Sequence, residues 1–177
     1  MSLSSSSTVA YVALGANLGN PTNTIKAAIG ELATLPGTRL LAASSLYRTA
    51  PVGLKHQPDF INAVVALEVI DTAALSPQEL LAALFAIESR FGRQRSVPNA
   101  ARTLDLDLLL YDDTVLDGPQ LTLPHPRMHQ RAFVLAPLLE VSLAPAGIGI
   151  DIPGHGAASA LLAACADQAI EKLADRI

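Results

Sequence analysis

Aromatic and sulfur-containing residues are scarce in this chain of 177 residues. It has no tryptophan, four phenylalanines, three tyrosines and one cysteine, Cys165. A lone cysteine cannot form an internal disulfide, so the sequence excludes a small scaffold held together by disulfides. No apolar run approaches the roughly 20 residues that a transmembrane helix needs, and residues 1–8 lack the pattern of a secretory signal. We therefore expect a cytoplasmic protein.

Charge is also sparse. Only 16% of the residues are charged, the net charge is −4, and half of the residues are hydrophobic. This composition excludes disorder for the body of the chain and argues against a protein built to coat nucleic acid or an anionic membrane. The length fits one domain. We expect a flexible serine-rich tail over residues 1–8 and a single domain over residues 9–177.

The hydrophobic pattern predicts an alternation of strands and helices. Strand signals cover residues 9–14, 39–47, 60–70 and 103–111, and helix signals cover residues 21–35, 77–91, 131–141 and 157–174. Residues 112–124 have the turn signals of a hairpin-like excursion. This order predicts an α+β fold with a ferredoxin-like βαββαβ core, an antiparallel sheet and additional C-terminal helices.

Two aspartates on the fourth predicted strand form the first candidate site. Residues 102–107 read Arg-Thr-Leu-Asp-Leu-Asp. Because side chains alternate along a strand, Asp105 and Asp107 share one face, while Leu104, Leu106 and Leu108 point into the core. Two neighbouring carboxylates favour a hard divalent cation such as Mg²⁺. The alternative is an ordinary amphipathic strand whose acidic face is solvated.

Arginines cluster just before these aspartates. Six of the nine lie between residues 90 and 131, and no acid lies between Arg90 and Arg102. Carboxylates that hold Mg²⁺ and guanidinium groups that grip phosphate are the two halves of a phosphoryl-transfer site. The alternatives are a solvated loop, or weak exposed ion pairs to the aspartates, which contribute little.

The known glycine-rich nucleotide motifs are missing. Residues 15–19, Gly-Ala-Asn-Leu-Gly, are too short for a P-loop and have no lysine at the helix entry, and there is no dinucleotide fingerprint. Phosphate binding must then depend on side chains and metal. His125 lies between two prolines in an extended segment, and Arg131 begins a predicted helix, where a cation is disfavoured unless an anion is nearby.

Several segments together resemble the 6-hydroxymethyl-7,8-dihydropterin pyrophosphokinase family of folate biosynthesis. They run in family order over about residues 9–141. The most specific are Arg-Thr-Leu-Asp-Leu-Asp at residues 102–107 and Leu-Pro-His-Pro-Arg-Met at residues 123–128. The resemblance implies a ferredoxin-like fold and transfer of the β,γ-diphosphate of ATP to the pterin hydroxymethyl group, with release of AMP. It also implies two Mg²⁺ ions.

Roles for individual residues follow from the same resemblance. Asp105 and Asp107 are implied as Mg²⁺ ligands and catalytic residues, with Arg93 and Arg102 as further catalytic residues that close over the site. The implied nucleotide contacts are Glu88, Arg95, His125 and Arg131. The implied pterin contacts are Thr49, Val52, Phe60, Asn62 and Phe133, the two phenylalanines enclosing the ring. ATP and the pterin are the expected partners of a monomer, with no nucleic acid and no membrane.

Two other functions are compatible with parts of the pattern. A metal-dependent phosphohydrolase would use the same carboxylates and arginines, but would consume ATP without a pterin. An RNA-binding module can share the ferredoxin-like sheet, but the clustered aromatic motif of such modules is missing, and aromatics make up only 4% of the chain.

Overall fold

The computed structural model describes residues 8–51, 56–92, 103–142 and 149–176. The main strands are β1 (Thr8–Ala16), β2 (Thr38–Ala43), β3 (Ser45–Thr49), β4 (Phe60–Val69), β5 (Asp105–Tyr111) and β10 (Glu171–Arg176). Two short hairpins add β6 (Leu116–Asp117) with β7 (Thr122–Leu123), and β8 (Asp151–Ile152) with β9 (Gly156–Ala157). The helices are α1 (Pro21–Ala33), α2 (Pro77–Arg90), the 3-10 turn η1 (Met128–Gln130), α3 (Ala132–Val141) and α4 (Ala158–Ala164).

The main sheet is antiparallel throughout and runs in the order β10-β3-β4-β1-β5, with β2 also beside β4. The chain order β1-α1-β2/β3-β4-α2-β5 is the predicted βαββαβ core. The hairpin predicted over residues 112–124 is also present, as β6 and β7. The predicted fold class is therefore confirmed.

Helices cover both faces of this sheet. One buried cluster joins α1 and α2 to the side chains of β4 typified by Ile61 and Val65. The other joins α3 and α4 to the alternate residues, typified by Val64 and Ala66. Because side chains alternate along a strand, these two sets lie on opposite faces of β4. The face toward α3 is the one that carries the candidate site.

Local signals set the ends of α2. The side chain of Ser76 accepts a hydrogen bond from the amide of Glu79 at 3.2 Å, and Pro77 occupies the first helical position. Gly92 follows the helix with φ of +77°, a conformation that a glycine adopts without strain. The predicted start at residue 77 is confirmed, and the helix ends one residue before the predicted residue 91.

Three predicted assignments were wrong. Thr8, predicted in the tail, pairs with Val69 in the sheet. The strand predicted over residues 39–47 is two strands, because Ser44 breaks it: its amide donates to the Val64 carbonyl at 2.9 Å, and its hydroxyl accepts from the Val64 amide at 3.0 Å.

The third wrong assignment concerns the C terminus, where a helix was predicted over residues 157–174. Helix α4 ends at Ala164, and Glu171–Arg176 form β10, which pairs with β3. Pairing with an available sheet edge overrides the helix-favouring composition of this segment. Among the described residues, none of the helices has the length and apolar content that crossing a bilayer requires.

Candidate active site

A cavity of about 700 Å³ lies on the face of the sheet that carries α3. Residues from β1, β4 and β5 line it, together with the segment that connects β7 to α3. Eight of the predicted site residues are among its lining: Thr49, Phe60, Asn62, Asp105, Asp107, His125, Arg131 and Phe133. These eight residues, separated by up to 84 positions in the sequence, therefore meet in one concave site.

The two carboxylates stand together on β5. Asp105 pairs with Gly15 of β1, and Asp107 pairs with Ala13. Both aspartates line the cavity, whereas Leu104, Leu106 and Leu108 are buried in the opposite cluster. The predicted shared face is confirmed. Because Ala13 and Gly15 have almost no side chain, the sheet beside the carboxylates is left open for a ligand.

The donor set suits a hard cation. Among the described residues there is no group of three or more histidine, cysteine or acidic side chains that could hold a metal on its own. Mg²⁺ in nucleotide sites commonly uses one or two carboxylates and completes its shell with water and substrate phosphate. Asp105 and Asp107, oxygen donors on one wall of a cavity, fit that requirement.

Three basic side chains line the cavity together with the carboxylates, those of His125, Arg127 and Arg131. His125 is fixed by its amide, which donates to the Leu109 carbonyl of β5 at 2.9 Å. Its Nδ1 accepts from the Arg127 amide at 3.2 Å, so a neutral ring carries its proton on Nε2. Burial, then the positive charge of Arg131, lower the pKa of His125 to about 4, with Asp105 acting in the opposite direction and Arg127 adding to the lowering. The ring is therefore neutral at pH 7.

Arg131 lies at the junction between η1 and α3. It is the N-cap residue of α3, but its side chain makes no capping hydrogen bond. Its guanidinium carbon is 5.5 Å from the centroid of the Phe133 ring, within the range of a cation–π contact. A positive side chain at the N-cap and an aromatic ring in the first turn of the same helix thus reach the cavity.

The pterin contacts implied by the resemblance form the other part of the cavity. Phe60 begins β4 and Phe133 lies in the first turn of α3. Asn62, two residues after Phe60, donates through Nδ2 to Thr49 Oγ1 at 2.9 Å and to the Tyr47 carbonyl at 3.4 Å. These bonds fix its amide. A Cβ atom at Gly15 would lie 3.5 Å from Asn62 Oδ1, which locates that oxygen above β1.

Glu88 is the described site residue that does not line the cavity. Its side chain is 3% exposed on the α2 side of the sheet, and a carboxylate oxygen accepts from the Leu106 amide at 2.9 Å. It therefore ties α2 to β5 between the two aspartates. Four further predicted residues lie outside the described part of the chain: Val52, Arg93, Arg95 and Arg102.

The cavity also includes residues that the sequence did not single out as contacts. Arg127 and Gln130 line it from the segment before α3, and Gln168 lines it from the C-terminal part of the chain. The sequence identified Arg127 only as a further basic residue, within the Pro-Arg-Met segment. Gln168 carried no signal, because its position depends on how the C terminus folds back over η1 and α3.

Comparison with protein families matches residues 11–143 to the model of 7,8-dihydro-6-hydroxymethylpterin-pyrophosphokinase (HPPK). A Pseudomonas aeruginosa protein named 2-amino-4-hydroxy-6-hydroxymethyldihydropteridine pyrophosphokinase is 46% identical over 163 residues, covering 92% of this chain and 95% of that protein. A Haemophilus influenzae protein of the same name is 43% identical over 133 residues, covering 75% and 81%. The folic acid synthesis protein fol1 of Schizosaccharomyces pombe is 39% identical over 134 residues, covering 76% of this chain and 18% of its own.

Solved structures show the same fold. A crystal structure of Plasmodium falciparum HPPK-DHPS with pteroate superposes with a TM-score of 0.66 at 12% identity, covering 89% of this chain and 42% of that one. A second, of the A437G form with STZ-DHP, has a TM-score of 0.58 at 13% identity, covering 92% and 43%. The chain thus spans less than half of these longer proteins, and the likeness concerns the fold alone.

Proposed function

The chain belongs to the 7,8-dihydro-6-hydroxymethylpterin-pyrophosphokinase family, and from this premise we propose how its cavity carries out the reaction. The enzyme is a transferase of folate biosynthesis that moves the β,γ-diphosphate of ATP onto the hydroxymethyl group of 6-hydroxymethyl-7,8-dihydropterin. The observation that carries the proposal is the meeting of Asp105, Asp107, His125 and Arg131 in one cavity with two aromatic rings.

The bonds that change are at the β-phosphorus of ATP. The pterin hydroxymethyl oxygen attacks that phosphorus in line, and the bond to the oxygen that bridges the α- and β-phosphates breaks. AMP leaves with the electron pair, and the hydroxyl proton is released. Because such transfers pass through a loose transition state, positioning and charge neutralisation matter more than a strong general base.

Asp105 and Asp107 would hold two Mg²⁺ ions against the triphosphate. When bound, such ions supply positive charge that offsets the charge on the phosphate oxygens. The carboxylates themselves keep the polyphosphate from approaching the sheet without its cations, because two bare acidic groups repel it. Magnesium dependence is therefore a property of the acidic pair.

Arg131 and His125 bind the phosphate oxygens. Arg131 contributes a guanidinium that can donate two hydrogen bonds to one phosphate. His125, neutral and protonated on Nε2, acts as a hydrogen-bond donor rather than as a charge. By the family resemblance, Arg93, Arg95 and Arg102 add further contacts from residues 93–102.

The pterin lies between Phe60 and Phe133, which line the same cavity. Asn62 supplies a carbonyl oxygen to the donor groups of the pterin edge, because its Nδ2 already bonds Thr49. By the family resemblance, backbone groups of Thr49 and Val52 complete the pocket. Glu88 lies outside the cavity and acts through the backbone: it accepts a hydrogen bond from the Leu106 amide and so fixes the strand between Asp105 and Asp107.

Calorimetric titration tests whether nucleotide binding requires Mg²⁺. We expect a non-hydrolysable ATP analogue to bind only weakly without Mg²⁺, and at least about tenfold more tightly with it. Pterin should then bind the loaded enzyme. In Asp105→Asn the Mg²⁺-dependent gain should be lost, while the exposed control Asp117→Asn keeps it. Equal affinity of the wild type with and without Mg²⁺ would contradict the metal assignment.

We also expect the enzyme to act as a cytoplasmic monomer. The large apolar residues that are exposed in the described part of the chain lie in four different places, at Leu18, Ile70, Phe85 and Val115, rather than on one element. Sedimentation equilibrium should give the mass of a single chain, and a concentration-dependent dimer mass would contradict this expectation.

A further inference from the structure

Gln168 reaches the active-site cavity from a part of the chain that the family model does not match. The matched residues end at 143, whereas Gln168 follows α4 and lines the cavity. Its Nε2 donates to the Gln130 carbonyl at 2.7 Å, and its Oε1 accepts from the Ala132 amide at 2.9 Å. One side chain thus uses both ends of its amide on backbone groups.

These two backbone groups belong to the peptide units on either side of Arg131. Arg131 has an extended backbone, with φ −122° and ψ 109°, between η1 and α3. An N-cap residue usually uses its own side chain to satisfy an amide of the first helical turn, but that of Arg131 makes no such bond. Gln168 satisfies the first helical amide instead. A guanidinium has only donors and cannot accept from that amide, so the side chain of Arg131 takes no part in the cap and lines the cavity.

The backbone on both sides of Gln168 is held in place by hydrogen bonds and packing. Its own amide donates to the Cys165 carbonyl at 2.9 Å, in the turn that closes α4. Cys165 and Ala158 are buried in the cluster that packs α4 against α3. On the other side, β10 pairs with β3. Anchored elements therefore precede and follow Gln168, so it can impose a position on Arg131 rather than follow it.

We propose that Gln168 is a positioning residue of the diphosphate transfer: its two-bond clamp on the peptides flanking Arg131 sets where the guanidinium meets the ATP phosphates. The proposal rests on the function proposed above for Arg131. Because Phe133 lies in the same first turn and contacts that guanidinium, the clamp also sets the position of the ring on the pterin side. The C-terminal segment is thus part of the site.

The test is a double-mutant cycle in the full chain. Methionine has nearly the length of glutamine but neither the donor nor the acceptor. Gln168→Met should weaken binding of a non-hydrolysable ATP analogue with Mg²⁺ about tenfold, and raise the KM for ATP to match, because small displacements of binding groups are costly. In an Arg131→Met background, the same change should cost less than about twofold, since coupled residues are not additive.

Two controls separate positioning from general damage. Glu171→Gln on β10 removes an exposed ion pair with Arg48, whose two groups are 3.3 Å apart. It leaves the clamp intact, so analogue affinity should be unchanged. Gln168→Glu keeps the acceptor for the Ala132 amide, but it turns a charged oxygen toward the Gln130 carbonyl and adds a negative charge to the cavity. Its affinity should therefore fall at least as far as that of Gln168→Met. This variant also carries the test if Gln168→Met does not fold.

The outcomes are distinct. An equal loss from Gln168→Met in both backgrounds, or no loss in the wild-type background, overturns the clamp while leaving the role of Arg131 in place. Unchanged analogue affinity in Arg131→Met overturns the role of Arg131 and the clamp with it. A failure of the enzyme to form AMP in the presence of pterin would instead contradict the proposed reaction, which the binding cycle does not measure.

Discussion

At the scale of single residues, the site depends on where a strand places two acidic side chains. Asp105 and Asp107 are two positions apart on β5, about 6–7 Å along the backbone, and both line the cavity. Their positions were predictable, because alternation along a strand is a local property. The contribution of Gln168 was not, because it requires the C-terminal segment to return to η1.

Asp107→Asn tests the acidic pair with almost no change in shape. We expect turnover to fall by at least about a thousandfold, because one of the two carboxylates that hold the Mg²⁺ ions loses its charge. The positive charge that these ions supply to the phosphates is then reduced. Pterin affinity should stay within about twofold, since the pterin lies against other residues. Rates of AMP formation and calorimetric titration with pterin measure the two effects.

Asp113→Asn is the matched control, because Asp113 is exposed in the turn after β5 and is absent from the cavity lining. It should retain wild-type turnover. Normal turnover in Asp107→Asn would refute its role as a metal ligand.

The lowered pKa of His125 predicts an acid-sensitive free enzyme. The native pKa is about 4, below the usual value of about 6.5 in an unfolded chain. The unfolded state therefore binds a proton that the native state does not, and stability is lost as pH falls through this window. The contribution of His125 to this loss between pH 7 and pH 4 is on the order of 3 kcal/mol.

His125→Asn should remove that part of the pH dependence, because the amide oxygen can still accept from the Arg127 amide but does not titrate. Urea unfolding of both proteins at pH 7, 5.5 and 4 measures the difference. Exposed His56→Asn serves as the control. Parallel pH profiles for wild type and His125→Asn would contradict the assigned cause.

At the scale of elements, α3 carries Phe133 into the cavity at one end and is anchored at the other. Near its C terminus, Glu140 accepts hydrogen bonds from the Ser45 amide at 3.2 Å, from the Ser45 hydroxyl at 3.0 Å and from the Tyr47 hydroxyl. Lys172 of β10 lies 3.8 Å away. One carboxylate thus joins α3, β3 and β10. No local pattern indicates it, because its hydrogen-bond partners Ser45 and Tyr47 are 95 and 93 residues away.

Glu140→Gln should destabilise the protein by about 1–2 kcal/mol at pH 7. Burial raises the pKa of Glu140, but the hydrogen bonds from Tyr47 and Ser45 outweigh it and lower the pKa overall. The stabilisation by the charged carboxylate is therefore complete above about pH 4.3, its usual unfolded value, and is lost as pH falls through the lowered native pKa.

Urea unfolding at pH 7 and pH 3 should show the difference between wild type and Glu140→Gln shrinking at the lower pH. Glu31→Gln removes the exposed pair of Arg90 and Glu31 at 2.9 Å and should cost less than about 1 kcal/mol. An equal cost of Glu140→Gln at both pH values would show that the charge of Glu140 contributes nothing.

At the scale of the whole molecule, periodicity in the sequence predicted the βαββαβ core, because strands and helices of this length have strong local patterns. It misassigned β10, whose residues Glu171 to Arg176 become a strand only because β3 offers an edge. The cavity likewise depends on the order of strands in the sheet. Because β1 lies between β4 and β5, its small residues Ala13 and Gly15 separate the proposed pterin contacts on β4 from the aspartates on β5.

The products formed from ATP test the central claim most directly. Purified enzyme is incubated with ATP and Mg²⁺, with and without 6-hydroxymethyl-7,8-dihydropterin, and the nucleotides and pterins are separated by chromatography. We predict AMP and pterin diphosphate in equal amounts, and no AMP without pterin. Formation of ADP, or loss of ATP at the same rate in the absence of pterin, would contradict diphosphate transfer at this site.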